Sequence, residues 1–323
     1  VLQEVAEPRS GPALQPIGDG LWEAALSRPR VDRLEYRFDL ARRGGGHETI
    51  LDPANPLRAP GAFGERSVIE FPEYEPPDWL TVEAPAGRVE EFDVASAILG
   101  DVQPTIVWSA AGTDPETPLP LLVALDGAEF DRFSGLLKML DVEVATGALP
   151  PMRAALCHPT RRDEHYTASP EFAEYLAREL IPAVAGVGAV VEAGRWRAGL
   201  GASLGGLALL HAHRHCPGLF GALFLQSSSF FQQGSQPGSA HIERIERFVS
   251  GLIATESWAD PIPVRLTCGA VERNLENNRQ CAAALAAQGY PADLHVVRDA
   301  HNWIAWRDAW TPHLVGLLAQ AWS

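Results

Sequence analysis

The chain has 323 residues, 46% of them apolar, and carries 26 Lys and Arg against 41 Asp and Glu, a formal net charge of -15. Size and apolar content fit one large domain, or a large domain with a small companion. The charge argues against a general nucleic-acid binder and against docking on anionic membranes. No apolar run is long enough to cross a bilayer. The opening residues, from Val1 to Val5, lack the basic-then-apolar pattern of a secretory leader, although the chain starts without Met, which is compatible with a removed leader. The four cysteines, Cys157, Cys216, Cys268 and Cys281, show no Cys-x-x-Cys spacing. A zinc site is therefore not indicated, and a reducing, cytoplasmic setting is expected. Neither a metal nor a cofactor is expected.

Residues 1 to about 30 are rich in Pro and Gly, with one helical piece expected at 21–26. Residues 34–40 alternate apolar and polar, the pattern of a half-buried strand, and 67–71 give another. Asp52-Pro53-Ala54-Asn55-Pro56 is turn chemistry. Short strands between Pro and Gly suggest a small β-sandwich over 1–85, closed by a Pro-rich linker from Pro72 that holds Trp79. Trp79 and its neighbours are expected near the mouth of the site. From residue 86 the pattern changes. Strands are expected at 89–94, 105–109, 119–125, 152–157, 198–201, 222–225, 263–267 and 294–297, several of them continuous apolar runs suited to burial on both faces. Helices are expected between them. Ser169 caps one, with Pro170 in its first turn; 274–288 is another, closed by Gly289; Thr311-Pro312 opens the last. The alternation predicts an α/β domain over 86–323, with a mostly parallel sheet covered on both faces.

One stretch carries chemistry. Gly201-Ala202-Ser203-Leu204-Gly205 lies between a short apolar strand and an apolar helix. It reads as a nucleophile elbow, a sharp turn that holds a serine hydroxyl proud of a sheet edge. Such a serine needs a base, and the base needs an orienting carboxylate, in the chain order Ser, acid, His of α/β-hydrolases. His301, in the loop after the last strand, is the expected base, with His313 its competitor. Glu272, after the strand at 263–267, is the expected acid, with Asp299 the runner-up. The backbone N–H groups of Leu204 and Ala128 are expected to form the oxyanion hole. Arg161 and Arg162 follow a strand end, where ligands gather in open α/β sheets.

These residues resemble the enterochelin (enterobactin) esterase family within the esterase-D-like α/β-hydrolases, over most of the chain. The likeness is carried by Leu125-Asp126-Gly127, by Gly201-Ala202-Ser203-Leu204-Gly205-Gly206, by Arg161-Arg162-Asp163-Glu164 with Phe172 and Glu179-Leu180-Ile181-Pro182, by Cys268-Gly269 through Glu272, and by His301-Asn302-Trp303 with Trp306-Arg307. The N-terminal part, in Tyr36-Arg37-Phe38, Asp52 to Pro56 and Pro76-Pro77-Asp78-Trp79, is similar to the family's early-set, Ig-like sandwich. The resemblance implies a serine esterase that opens the serine trilactone of a ferric catecholate siderophore such as enterobactin. Iron would then arrive with this small-molecule substrate. It also implies substrate contacts from Arg161, Arg162, Asp126 and Trp303. Asn302 stands where the family commonly has Asp. Because the substrate is anionic and the chain acidic, Arg161 and Arg162, with Arg132 and Arg273, are expected to supply a local positive site. The alternatives are an acyl-carbohydrate or feruloyl-type esterase and a non-catalytic binding protein of this fold.

Overall fold

Residues 2–3, 13–42, 44–232 and 240–323 are described in this computed structural model. Among them, seven short strands precede residue 88: β1 (Leu2–Gln3), β2 (Gln15–Gly18), β3 (Leu21–Glu23), β4 (Arg33–Ala41), β5 (His47–Ile50), β6 (Arg58–Ala59) and β7 (Arg66–Glu70). Order β1-β4-β7-β6, with β5 also on β4, makes one antiparallel five-stranded sheet. The helix expected at 21–26 is not formed. Residues 21–23 are instead β3, paired with β2. Gly18, Asp19 and Gly20 all take positive φ, which closes a tight hairpin and starts the second strand at once.

The main sheet contains β8 (Arg88–Ser96), β9 (Asp101–Ser109), β10 (Leu121–Leu125), β11 (Arg153–Cys157), β12 (Arg197–Ala202), β13 (Ala222–Gln226), β14 (Val264–Gly269) and β15 (Ala292–Val297). Its order is β15-β14-β13-β12-β10-β11-β9-β8, parallel from β15 to β11 and antiparallel at β9. β10, Leu-Leu-Val-Ala-Leu, is fully buried because helices cover both faces. The helices are α1 (Gly127–Ser134), α2 (Leu136–Ala145), α3 (Arg162–His165), α4 (Pro170–Tyr175), α5 (Ile181–Val187), α6 (Leu204–His215), α7 (Ala240–Ala254), α8 (Leu275–Ala287), α9 (Trp303–Asp308) and α10 (Val315–Ala321). Strand alternation sorts the core into two layers. Leu121, Val123 and Leu125 face Tyr175, Leu207, Val249 and Leu285; Leu122 and Ala124 face Phe130, Met139, Trp310 and Leu318. No helix of the described residues is long and apolar enough to cross a membrane.

Trp79 is not at the mouth. It is 3% exposed and stacks on Trp310 with ring centroids 6.2 Å apart, inside the layer of α1, α2 and α10. The Pro-rich segment turns through a single 3-10 turn, Asp78–Thr81, and so plugs an indole into the layer packed on the eight-stranded sheet.

The N-terminal sheet docks on residues 298–308. Val31, Leu34 and Tyr36 cluster with Ala300, and Ala59 and Val68 with Ile304. Asp32 N–H donates to the Arg298 carbonyl at 2.7 Å, and Tyr74 Oη donates to Asp308 at 3.0 Å. Arg33, 3% exposed, reaches both Glu35 (3.5 Å) and Asp299 (3.4 Å). Removing one member of a buried ion pair strands the other and costs about 3–5 kcal/mol, whereas an exposed pair is worth up to about 1 kcal/mol. Arg33→Met is therefore expected to lower stability on that larger scale, and Arg161→Met, whose side chain is 45% exposed, to lower it less. Denaturant midpoints of the two variants provide the comparison.

Candidate active site

Ser203 sits between β12 and α6 with φ 54° and ψ -120°, a conformation that L-residues rarely adopt. The glycines around it leave the room this turn needs. A Cβ on Gly201 would lie 2.6 Å from the Gly205 carbonyl carbon, and one on Gly206 would lie 2.0 Å from Ser228 Oγ. Neighbouring backbone holds the turn. Ser203 N–H donates to the Gln226 carbonyl (2.8 Å), and Ser203 C=O accepts from the N–H of Ser229 (3.0 Å). The Ser203 hydroxyl pairs with Ser229 Oγ at 3.2 Å.

His301 and Glu272 come from the loops after β15 and β14, so adjacent parallel strands bring them together. His301 Nδ1 is 2.8 Å from Glu272 Oε2. The other carboxylate oxygen accepts from Ser227 Oγ (2.6 Å) and from Gly269 N–H (2.7 Å). Burial alone would raise the Glu272 carboxyl, but the hydrogen bonds from His301, Ser227 and Gly269 outweigh it and hold the group below its ordinary range. A proton on Nδ1 facing Glu272 leaves Nε2 as the basic nitrogen. Trp306 fixes the ring edge-on, with centroids 5.0 Å apart and planes at 83°. Trp306 Nε1–H donates to Ser227 Oγ at 3.1 Å, which ties this wall back to the acid.

The expected oxyanion donors lie at two neighbouring helix starts. β10 runs parallel to β12 with Ala124 opposite Leu200, so the turn after β10 comes out beside Ser203. Strand order reverses here, since β11 lies on one side of β10 and β12 on the other, which opens a crevice at the strand ends. Asp126, at φ 55°, starts α1, whose first intrahelical bond is made by Phe130 N–H. The N–H groups of Gly127 and Ala128 precede it, as that of Leu204 does in α6. Ala128 itself lines a neighbouring cleft with Phe92, Ile106 and Arg132 and is not among the residues lining the cleft of Ser203.

Ser203, His301, Asn302, Trp303, Trp306, Asp126 and Arg162 all line one cleft of about 380 Å³. Arg162 grips Asp126 through Nε (2.8 and 3.0 Å) and Nη2 (2.6 Å). Burial opposes the Arg162 charge, but the Asp126 carboxylate more than offsets this and raises the guanidinium pKa. Arg161 faces elsewhere, bonded to Asp101 (3.0 Å), Glu164 (2.9 Å) and the Leu99 carbonyl (2.6 Å), where it staples the β8–β9 turn. Arg132 and Arg273 are likewise not among the cleft's lining residues; Arg132 lies over the Phe133 ring at 5.1 Å. Asp299, the runner-up acid, is committed to Arg33, to Ala300 N–H (2.7 Å) and to Asn302 (2.9 Å). His313, the competing base, stacks on His295 at 4.0 Å, outside the cleft. Asn302 caps α9 by accepting from Ala305 N–H at 2.8 Å, work that an Asp would do equally well.

Sequence reasoning missed three parts of the site. Ser227 and Ser229 were signalled by their place, a serine run at the carboxyl end of the strand beside β12. The third part is N-terminal: Glu35, residues 60–64 and Arg66 form one wall of the cleft.

A family model described as "Putative esterase" matches residues 109–317. An iron(III) enterobactin esterase of Dickeya dadantii (strain 3937) is 27% identical over 231 residues, 69% of this chain and 53% of that protein. One from Escherichia coli O6:H1 is 26% identical over 304 residues, 90% of this chain and 72% of its own length. The chain thus spans about half of the first relative and under three quarters of the second. A crystal structure of an enterobactin esterase from Shigella flexneri, in the presence of 2,3-dihydroxy-N-benzoyl-glycine, has a TM-score of 0.76 at 21% identity, over 99% of this chain and 87% of that one. This is a likeness of fold: an α/β protein with a large mixed sheet.

The depressed Glu272 carboxyl has a sign that can be measured. A group whose folded pKa lies below its unfolded value, about 4.3 for Glu, contributes stability above that value and loses it as pH falls through the folded pKa. Glu272→Gln is expected to be less stable than the wild type near neutrality, with the gap closing below about pH 4. Denaturant midpoints across that window test it, and a gap that widens in acid would contradict it.

Proposed function

The chain belongs to the esterase family whose model it matches, and from that premise we propose that it is a serine esterase acting on the lactone esters of a ferric catecholate siderophore such as enterobactin. One observation carries the reading: a serine in a strained strand-to-helix turn shares a cleft with a histidine held by a buried glutamate. Ser203 Oγ exchanges its contact with Ser229 for His301 Nε2, gives up its proton there and attacks the ester carbonyl. Leu204 and Ala128 N–H groups receive the developing oxyanion. His301 passes the proton to the departing alcohol, and Glu272 stabilises the imidazolium in between. Water, deprotonated by the same ring, then releases the acid and restores Ser203.

Two features support the siderophore over other esters. Relatives that carry the name iron(III) enterobactin esterase match most of this chain. The cleft also combines aromatic walls, Trp303 and Trp306, with two arginines, Arg66 and Arg162. Its three carboxylates are each engaged: Glu35 by Arg33 (3.5 Å), Asp126 by Arg162 (2.6 Å) and Glu129 by His158 (3.0 Å). In this reading residues 86–323 are an α/β-hydrolase domain and 1–85 an early-set β-sandwich. The change from the five-stranded to the eight-stranded sheet before Arg88 supports that division. Four cysteines, all unpaired and three of them buried, support a cytoplasmic setting.

Hydrolysis of ferric and iron-free enterobactin, followed by chromatography beside a short-chain nitrophenyl ester, is the test. Stepwise release of dihydroxybenzoyl-serine is expected. Ser203→Ala should lower turnover about 10^6-fold and Glu272→Gln about 10^4-fold, with unchanged circular dichroism. Turnover retained by Ser203→Ala would overturn the mechanism. Cleavage of the nitrophenyl ester alone would move the substrate to sugar or feruloyl-type esters.

A further inference from the structure

Phe63 is 91% exposed, while the next most exposed large apolar residues among the described ones, Leu21 and Trp22, are each 61% exposed. It nevertheless lies in a braced turn. Gly64, at φ 86°, donates its N–H to the Gly61 carbonyl at 3.0 Å. Arg37 spans the turn from β4, with Nη2 donating to the Phe63 carbonyl (2.7 Å) and Nε to the Glu65 carbonyl (2.9 Å). The turn also borders the catalytic wall, since a Cβ on Gly61 would lie 4.0 Å from Trp303 Cδ1.

Trp303 is equally fixed. Its ring meets Phe130 at 5.2 Å, Phe133 at 5.3 Å and Trp306 at 5.0 Å. The cleft of Ser203 and His301 therefore has an immobilised indole from the main domain and a hydrated phenyl from the N-terminal sheet. Water gains nothing from a phenyl ring held in this way, whereas a planar aromatic ligand gains contact area and ring–ring geometry.

We propose that Phe63 is the specificity lip of the site and that it recognises an aromatic ring on the acyl side of the ester. The inference rests on the reading of this cleft as an esterase site. It adds that the choice of aromatic over aliphatic esters is made by the N-terminal sheet, through a residue that takes no part in bond breaking. Ring contact then contributes to binding in the ground state and the transition state alike, so its loss raises KM and leaves kcat in place.

The test uses the full chain and the variants Phe63→Ala, Phe63→Leu and Phe63→Tyr, with a benzoyl and a butyryl nitrophenyl ester in parallel. Phe63→Ala is expected to lower kcat/KM for the benzoyl ester about ten-fold through KM, and to change the butyryl ester less than about two-fold. Tyr should restore the preference and Leu should not, which separates an aromatic contact from apolar bulk. Equal losses on both esters, or none on the benzoyl ester, would overturn the proposal. A calorimetric titration with 2,3-dihydroxybenzoate needs no turnover: weaker binding to Phe63→Ala than to wild type is expected, and equal binding refutes the lip. An inactive wild type that still shows this binding difference would reject the esterase reading and leave the aromatic contact standing.

Discussion

Lack of space at the turn holding Ser203 is the constraint on which the site depends. Its backbone sits at φ 54°, in a region that costs of order 1–3 kcal/mol. That cost is offset locally by hydrogen bonds to Gln226 and Ser229, both on or just beyond β13. The turn can tighten only because Gly201 and Gly205 approach within a distance that no side chain would permit, and because Gly206 sits against Ser228. The two hydroxyls that flank Ser228 then take on different tasks. Ser227 holds the Glu272 carboxylate, and Ser229 pairs with the Ser203 hydroxyl. A single strand end thus supports both Ser203 and Glu272.

The main sheet was legible because its central strands, β10 to β13, are buried and almost entirely apolar, and all eight expected runs became strands of one sheet. The order Ser203, Glu272, His301 was legible because each residue follows a strand whose carboxyl end faces the same crevice. Other features depended on information that sequence spacing does not carry. Arg161 and Arg162 are neighbours of identical chemistry, and only the local turn sends one into the cleft and the other to Asp101. Trp79 sits in a Pro-rich stretch that reads as linker, yet stacking on Trp310 draws it into the core. Residues 21–26 carry an apolar pattern that suits a short helix, but three successive positive-φ residues ahead of them decide for a hairpin. The lip at 60–64 is turn chemistry and nothing more until its distance from Trp303 is known.

Charge adds a further constraint. At -15 the chain would repel any anionic ligand from afar, but at physiological salt that repulsion fades over about 8 Å. Inside the cleft the balance is local. Each carboxylate of the wall has a cationic or imidazole partner, so an entering anion meets ion pairs whose arginines it can share. A bidentate guanidinium such as Arg162 retains N–H donors after gripping Asp126, and these are available to an anionic ligand without breaking the pair.

The N-terminal sheet enters the chemistry through position. His301 lies on a loop, and loops are mobile unless their backbone is held. This one is held from the N-terminal sheet. The Asp32 N–H continues strand-like bonding onto Arg298, the Arg33 guanidinium anchors Asp299, and Asp299 in turn orients Ala300 and the capping Asn302. Val31, Leu34 and Tyr36 close over Ala300 one residue before the histidine. The contact is small, but it falls on the segment whose position decides whether Nε2 faces Ser203. The same sheet carries residues 60–66 into the cleft. A binding module tethered at a distance would leave the histidine loop unbraced and the lip out of reach. The two sheets therefore act together on one cleft: the N-terminal sheet braces the loop that carries His301 and contributes residues 60–64 and Arg66 to the wall.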